Sequence, residues 1–273
     1  MNIQRWNSNF KLDTTIICVG KRGSGKTTLL YSLLHNISRK VDICIAMSPT
    51  ISTQKELEKH VPKTFIYNKF REDKLKELFK QQRIMIEKGG TIRRVCLVLD
   101  DLMFDRSVMR SKIMREVFMN GRHLYITCIC TCQYLFDIGP SIRSNCDICL
   151  ALAENVNKNK EKLYQTFFGF FDNFRDFNSV FSACTDNYEA LVMDLTRHSN
   201  KIEDCVFWYK APMPVPPFKI GNEIYFRLSS GSKKRSDDES LIETKLEKKK
   251  RRIRVVTKCD EYGNKLNVTH SRR

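Results

Sequence analysis

One stretch near the start of the chain limits the fold more than any other. Ile16 to Val19 form a short apolar run. Gly20-Lys21-Arg22-Gly23-Ser24-Gly25-Lys26-Thr27 follows with the spacing G-x-x-x-x-G-K-T, and Thr28, Leu29 and Leu30 open a helix-forming segment. Strand, glycine-rich turn and helix in that order are the context of a nucleoside-triphosphate phosphate-binding loop. Glycines let the backbone turn tightly and approach phosphate oxygens without a Cβ in the way. The loop amides and the positive end of the following helix both favour an anion. Lys26 supplies a cation for the β- and γ-phosphates, and the Thr27 hydroxyl is a Mg²⁺ ligand in this pattern. The alternative, a glycine-rich turn with no ligand, explains neither Lys26 nor Thr27.

A second motif lies about 75 residues further on. Arg94-Val95-Cys96-Leu97-Val98-Leu99-Asp100-Asp101 is a continuous apolar run closed by two acids. A strand buried on both faces in a parallel sheet has this composition, and its carboxyl end is where such sheets place ligands. Asp100 is the candidate Mg²⁺ holder, and Asp101 the candidate general base for an attacking water. Alone, the pattern also fits a strand followed by a helix cap. The stretch Arg122–Gln133 then reads as a long strand rich in Ile, Thr and Cys and ending in an amide. If it inserts between the first strand and the Asp100 strand, Gln133 faces the γ-phosphate. There its amide can both sense phosphate and orient water. Two arginines are candidates for a charge-stabilising finger supplied to a neighbouring subunit: Arg143 first, Arg122 second. A lone arginine is more commonly a surface ion-pair partner.

Apolar spacing divides the rest into alternating strands and helices. Strands are expected at 14–19, 41–47, 64–67, 146–153, 188–195 and 204–210. Helices are expected from the glycine loop to Ser38, from a cap at Ser52 or at Thr53 (the latter with Glu56 as a capping box), and over 71–88, 105–120, 157–171 and 172–185. A turn is expected at 136–140. Seven phenylalanines between Phe167 and Phe181 fit helix packing better than a partner-facing patch. Residues 1–13 read as a polar lead-in, 14–228 as the main domain with a terminal hairpin or edge strand at 218–228, and 229–273 as a tail. From residue 233 the tail holds 14 Lys and Arg against 7 Asp and Glu, including the run Lys248–Arg252. This composition suggests disorder or one exposed helix. Its basic run fits nuclear localisation, DNA contact or plain solvation.

Composition bounds the setting. The 273 residues carry a formal charge of +17, which favours a polyanionic partner, most simply nucleic acid. No run of about 18 uncharged apolar residues suggests a membrane span, and the first residues lack the apolar core of a signal peptide. Eleven cysteines, an odd number, several within expected strands, read as reduced and buried thiols. Cys146 and Cys149 make a C-x-x-C, but positions three apart on a strand face opposite ways, so buried thiols are favoured there over zinc.

Taken together, G-K-R-G-S-G-K-T, V-C-L-V-L-D-D, N-G-R-H-L-Y-I-T-C-I-C-T-C-Q-Y and I-R-S-N-C-D-I resemble the poxvirus-type genome-packaging ATPases of nucleocytoplasmic large DNA viruses. These are similar to the FtsK/HerA group of P-loop motors, and the resemblance covers about residues 14–155. It implies an α/β, RecA-like additional-strand fold, with a mainly parallel sheet flanked by helices. It also implies ATP and Mg²⁺, and a homo-oligomeric ring that drives double-stranded DNA into a capsid through a capsid or portal-type vertex protein. By the same resemblance Gly20 to Thr27 bind nucleotide, Asp100 holds metal, Asp101 is the base and Gln133 the sensor; Thr28 is a further nucleotide-binding candidate. Asp101 departs from the Glu of bacterial relatives. Host cytoplasm or virion is the implied location, with the nucleus open through the basic tail. Two rival readings stand beside it: another nucleic-acid P-loop enzyme such as a helicase, and a nucleotide-gated scaffold with weak hydrolysis.

Overall fold

The computed structural model describes residues 2–102, 106–134 and 139–230, together with the strands 257–259 and 265–267. The chain forms two compact units, Met1–Phe226 and Arg227–Arg273. In the first, the strands in chain order are β1 (Gln4–Arg5), β2 (Thr15–Val19), β3 (Ile43–Met47), β4 (Ile66–Tyr67), β5 (Val95–Asp100), β6 (Ile126–Cys132), β7 (Ile148–Leu152), β8 (Glu189–Asp194) and β9 (Val206–Lys210). The helices are α1 (Lys26–Ile37), α2 (Ile51–Leu57), α3 (Glu72–Glu87), α4 (Arg106–Arg110), α5 (Lys112–Asn120), α6 (Pro140–Arg143), α7 (Asn157–Phe167), α8 (Phe174–Cys184) and α9 (Ile202–Cys205). All nine strands join one sheet in the order β1-β9-β8-β7-β2-β6-β5-β3-β4. Only β8 runs against the others. As expected, β6 inserts between β2 and β5, with Val19 opposite Cys132 and Asp100 opposite Thr131.

Every residue of β2, β5, β6 and β7 is buried, because helices cover both faces of the sheet. Alternation along each strand then divides the core in two. Ile17, Val19, Leu97, Leu99, Cys128, Cys130 and Cys132 face α3, α5, α7 and α8. Ile16, Cys18, Cys96, Val98 and Ile129 face α1, whose Leu29, Leu30, Leu33, Leu34 and Ile37 recur at helical spacing. The phenylalanines of 167–181 are core. Rings of Phe168, Phe171, Phe174 and Phe181 lie 5.3–6.1 Å from Phe177.

Several local expectations fail for identifiable reasons. The supposed lead-in supplies β1, and Trp6 is 1% exposed, stacked on Phe10 with its indole N–H donating to Asp194 Oδ2 at 3.2 Å. Neither Ser52 nor Thr53 is a cap, since α2 begins at Ile51 with Thr50 at its N-cap. The single helix expected over 105–120 is two, because Ser111 accepts from the Met114 amide and starts α5 afresh; Asp105 lies outside the described residues. The long strand expected from Arg122 starts only at Ile126. Gly121–Leu124 form a 3₁₀ turn, which Tyr125 ends in a left-handed conformation. The stretch 204–210 begins as the short helix α9. Residues 223–230 are helical, where a hairpin or edge strand was expected. In the second unit Thr257–Cys259 pair antiparallel with Lys265–Asn267, so 233–273 is not one helix; the basic run 248–252 and most of the turn expected at 136–140 lie outside the described residues. Among the described residues no helix is long and apolar enough to cross a membrane.

Candidate functional site

The phosphate loop leaves β2 at Gly20, whose amide donates to Cys132 O at 3.1 Å. A Cβ at Gly20 would lie 2.5 Å from Ser24 Oγ and 2.9 Å from Leu152 Cβ, so the loop passes too close to its neighbours for any side chain there. Gly25 has φ +99° and forms the N-cap of α1. Helix α1 has neither a side-chain cap nor an acid in its first turn. Its first amides therefore keep their donor capacity for an anion. Lys26 Nζ folds onto the loop, donating to Gly20 O at 2.6 Å and Lys21 O at 3.1 Å. Burial draws its ammonium below the usual lysine range, opposed by the nearby carboxylates of Asp101 and Asp100.

Both acids reach the same cavity. Successive strand residues point to opposite faces, so two consecutive carboxylates on one site need a break in the strand. Asp101 supplies it with φ +52°, a left-handed conformation that Asp tolerates better than most residues. Asp100 is 7% exposed and accepts from Ser48 Oγ at 2.8 Å and from Thr131 Oγ1 at 2.7 Å. The Asp101 amide donates to Thr131 Oγ1 at 3.1 Å and to Thr131 O at 3.2 Å. Gln133 Nε2 donates to Asp101 Oδ2 at 2.6 Å, placing the sensor candidate against the base candidate. Among the described residues no ion pair within 4 Å neutralises either acid, and hydroxyl donors alone orient Asp100. A carboxylate held by hydroxyl donors fits a hard cation such as Mg²⁺, with Thr27 across the cavity.

A cavity of about 730 Å³ opens here. One wall is Arg22, Gly23 and Gly25 to Leu29; the floor holds Asp100, Asp101 and Gln133; Asn187, Tyr188, Lys210, Ala211 and Met213 form the far wall. This volume suits an organic ligand of nucleotide size. Lys21 and Ser24 complete the loop, their carbonyl and amide joined at 3.2 Å.

Neither arginine reaches this cavity. Arg122 donates to Asp147 Oδ1 at 3.0 Å, and Asp147 Oδ2 accepts from the Thr15 amide at 2.8 Å. That pair sits at the amino end of β2, the opposite pole of the sheet. Arg143 lines a separate open groove with Lys162, Gln165 and Leu195. Cys146 and Cys149 are 4% and 2% exposed, burial pushes both thiols up, and no cluster of three metal-ligating side chains occurs among the described residues.

Sequence reasoning missed Ser48, Thr131 and the far wall. Ser48 follows β3 directly and Thr131 is the penultimate residue of β6, so the carboxyl-end rule could have found both. Nothing in the sequence marks Tyr188, which reaches the site only because β8 reverses direction, whereas Met213 follows the carboxyl end of β9.

Comparison with known proteins agrees with this architecture. The chain is 32% identical over 209 residues to protein 088R of Invertebrate iridescent virus 3, covering 76% of this chain and 80% of that one. It is 29% identical over 210 residues to protein L437 of Acanthamoeba polyphaga mimivirus, covering 73% of each. The fold is similar to the genome packaging NTPase B204 of Sulfolobus turreted icosahedral virus 2 in complex with ATP-gammaS, with TM-score 0.52 and 16% identity over 76% of this chain and all of that one. Residues 4–166 match the family model described as poxvirus A32 protein. The chain belongs to the poxvirus A32 protein family, the viral packaging ATPases built on the P-loop fold.

Proposed function

We propose that this chain is the ATP-hydrolysing subunit of a homo-oligomeric ring that drives viral double-stranded DNA into a capsid. One observation carries the reading: the phosphate loop, two carboxylates and the Gln133 amide meet at the carboxyl ends of three adjacent strands, β2, β5 and β6. In this reading Gly20 to Thr28 hold the triphosphate, with Lys26 turning from the Gly20 and Lys21 carbonyls to the β- and γ-phosphates. Thr27 and Asp100 hold Mg²⁺, which when bound neutralises phosphate charge. Asp101 accepts a proton from the attacking water while Gln133 orients that water. Positioning and charge stabilisation suffice for this chemistry.

The cation content of the site supports the ring reading. The only arginine among the described cavity residues is Arg22 of the loop itself. We assign the finger to a neighbouring subunit, with Arg143 the first candidate; Arg122 is the weaker one because Asp147 already holds it. The charge of +17 suits contacts with a phosphate backbone that read no sequence. The motor works at a capsid or portal-type vertex, in the host cytoplasm or the virion. The test is ATP turnover with and without double-stranded DNA, read beside the mass of the assembly. The expected result is an oligomer whose turnover rises with DNA. Turnover indifferent to saturating DNA would sink the motor reading.

A further inference from the structure

The far wall of the cavity has no role in the hydrolytic chemistry, yet its construction is specific. Strand β8 runs against its neighbours, so its first residue lies at the pole where β2 and β9 end. The turn before β8 and the segment after β9 thus meet beside the phosphate loop, where Lys210 Nζ lies 3.4 Å from Glu189. Two consecutive residues of that turn, Asn187 and Tyr188, are left-handed, at φ +52° and +63°. Non-glycine residues held this way are strained, and such strain gathers at ligand clamps. Tyr188 is 68% exposed and Met213 86%, two large side chains presented to one cavity. The Tyr188 ring lies over the start of α1: its Cδ1 is 3.3 Å and its Cβ 3.5 Å from where a Gly25 Cβ would stand.

We propose that Tyr188 and Met213 form the seat of the nucleobase, the ring stacking on the base and the thioether covering its other side. This rests on the nucleotide reading above and names the residues that grip the part of the ligand the phosphate loop cannot reach. The cavity is continuous from Lys26 and Asp100 to Tyr188 and Met213, so a triphosphate seated on the loop projects its base along this wall. An aromatic face stacks on any base, and a polarisable sulfur adapts to the face it meets. Gly25 is then needed twice, for its positive φ and for the space the Tyr188 ring takes.

The test compares a non-hydrolysable ATP analogue, AMPPCP, with inorganic tripolyphosphate, each titrated calorimetrically into the full chain with Mg²⁺. Tyr188→Ala should weaken AMPPCP about tenfold, the loss of one stacked base. Tripolyphosphate affinity should hold within about twofold, because the loop is untouched. Met213→Ala should weaken AMPPCP less, and Tyr188→Phe should restore wild-type affinity. The positions are exposed, so folding is not at stake. Unchanged AMPPCP affinity in Tyr188→Ala overturns the seat, as does an equal loss for both ligands. A change in oligomer mass with unchanged affinity also overturns it, and makes Tyr188 a subunit contact. Wild-type protein that binds neither ligand defeats the nucleotide reading itself.

Discussion

Thr131→Val isolates the contact that ties the two acids together. The Thr131 hydroxyl donates to Asp100 Oδ1 at 2.7 Å and accepts from the Asp101 amide at 3.1 Å. Valine keeps shape and volume, so no cavity opens at this fully buried position. It removes a hydrogen bond to a buried carboxylate, worth about 1.5–3 kcal/mol. The Asp101 amide keeps the Thr131 carbonyl at 3.2 Å, so the left-handed turn survives with one tie in place of two. The stability loss should lower Tm by about 5 °C in a chain of this size. Losing an outer-shell partner of a metal ligand reduces metal affinity or activity about 10- to 100-fold. The Mg²⁺ concentration for half-maximal turnover should therefore rise by that factor, measured well below Tm. Thr131→Ser keeps the hydroxyl and should behave as wild type. A valine variant with normal Mg²⁺ dependence and turnover would refute the role of this hydroxyl in aiming Asp100.

Four further outcomes are expected. Lys26→Ala should abolish hydrolysis in a standard phosphate-release assay while circular dichroism stays native; normal turnover would remove the phosphate-loop assignment. Arg143→Ala should lower kcat on the order of 10³-fold in the assembled ring, and mixing with Lys26→Ala subunits should restore activity at interfaces where each supplies what the other lacks; full activity of Arg143→Ala would place the finger elsewhere. Trp6→Ala should cost about 3–5 kcal/mol, seen as a fall in Tm of roughly 10 °C, since a fully buried indole and its bond to Asp194 disappear together. Among the ten cysteines whose surroundings the structure describes, thiol reagents at pH 8 should label native protein first at Cys184: the other nine are buried and burial pushes the Cys132 thiol up to about 12, so they react only after unfolding.

The parts of the site legible in the sequence are those whose chemistry forces a local pattern. A phosphate loop needs glycines at fixed spacing, and a strand buried on both faces needs an unbroken apolar run. Hence β2, β5, their order around β6, and the positions of Lys26, Asp100, Asp101 and Gln133 were all readable. What was not readable depends on distant contacts. Nothing near Trp6 says that β9 lies alongside it, because the pairing spans some two hundred residues. Tyr125 looks like a strand residue by propensity, yet its left-handed φ ends the 3₁₀ turn and delays β6. Gln82 sits on an apparently apolar face of α3 because its amide donates to Arg93 O at 2.8 Å and Leu124 O at 2.7 Å, two carbonyls whose position no local pattern gives.

The resting contacts of the loop also bear on how a ligand acts on stability. Without an anion, α1 starts uncapped and Lys26 is satisfied by the Gly20 and Lys21 carbonyls. The lysine is already inside the loop, so binding exchanges carbonyl partners for phosphate oxygens and orders little new chain. The amides of α1 have no such internal substitute, so their gain is added when the anion arrives. Binding energy should then appear almost wholly as stabilisation of the first unit, about 2.7 kcal/mol at a hundredfold excess over Kd. With some 2–4 °C per kcal/mol for a chain of this size, the shift in Tm is about 5–10 °C. Tripolyphosphate should produce most of it, because the uncapped helix and Lys26 see only phosphate. A large shift with AMPPCP and none with tripolyphosphate would mean that the far wall, and not the glycine loop, holds the ligand.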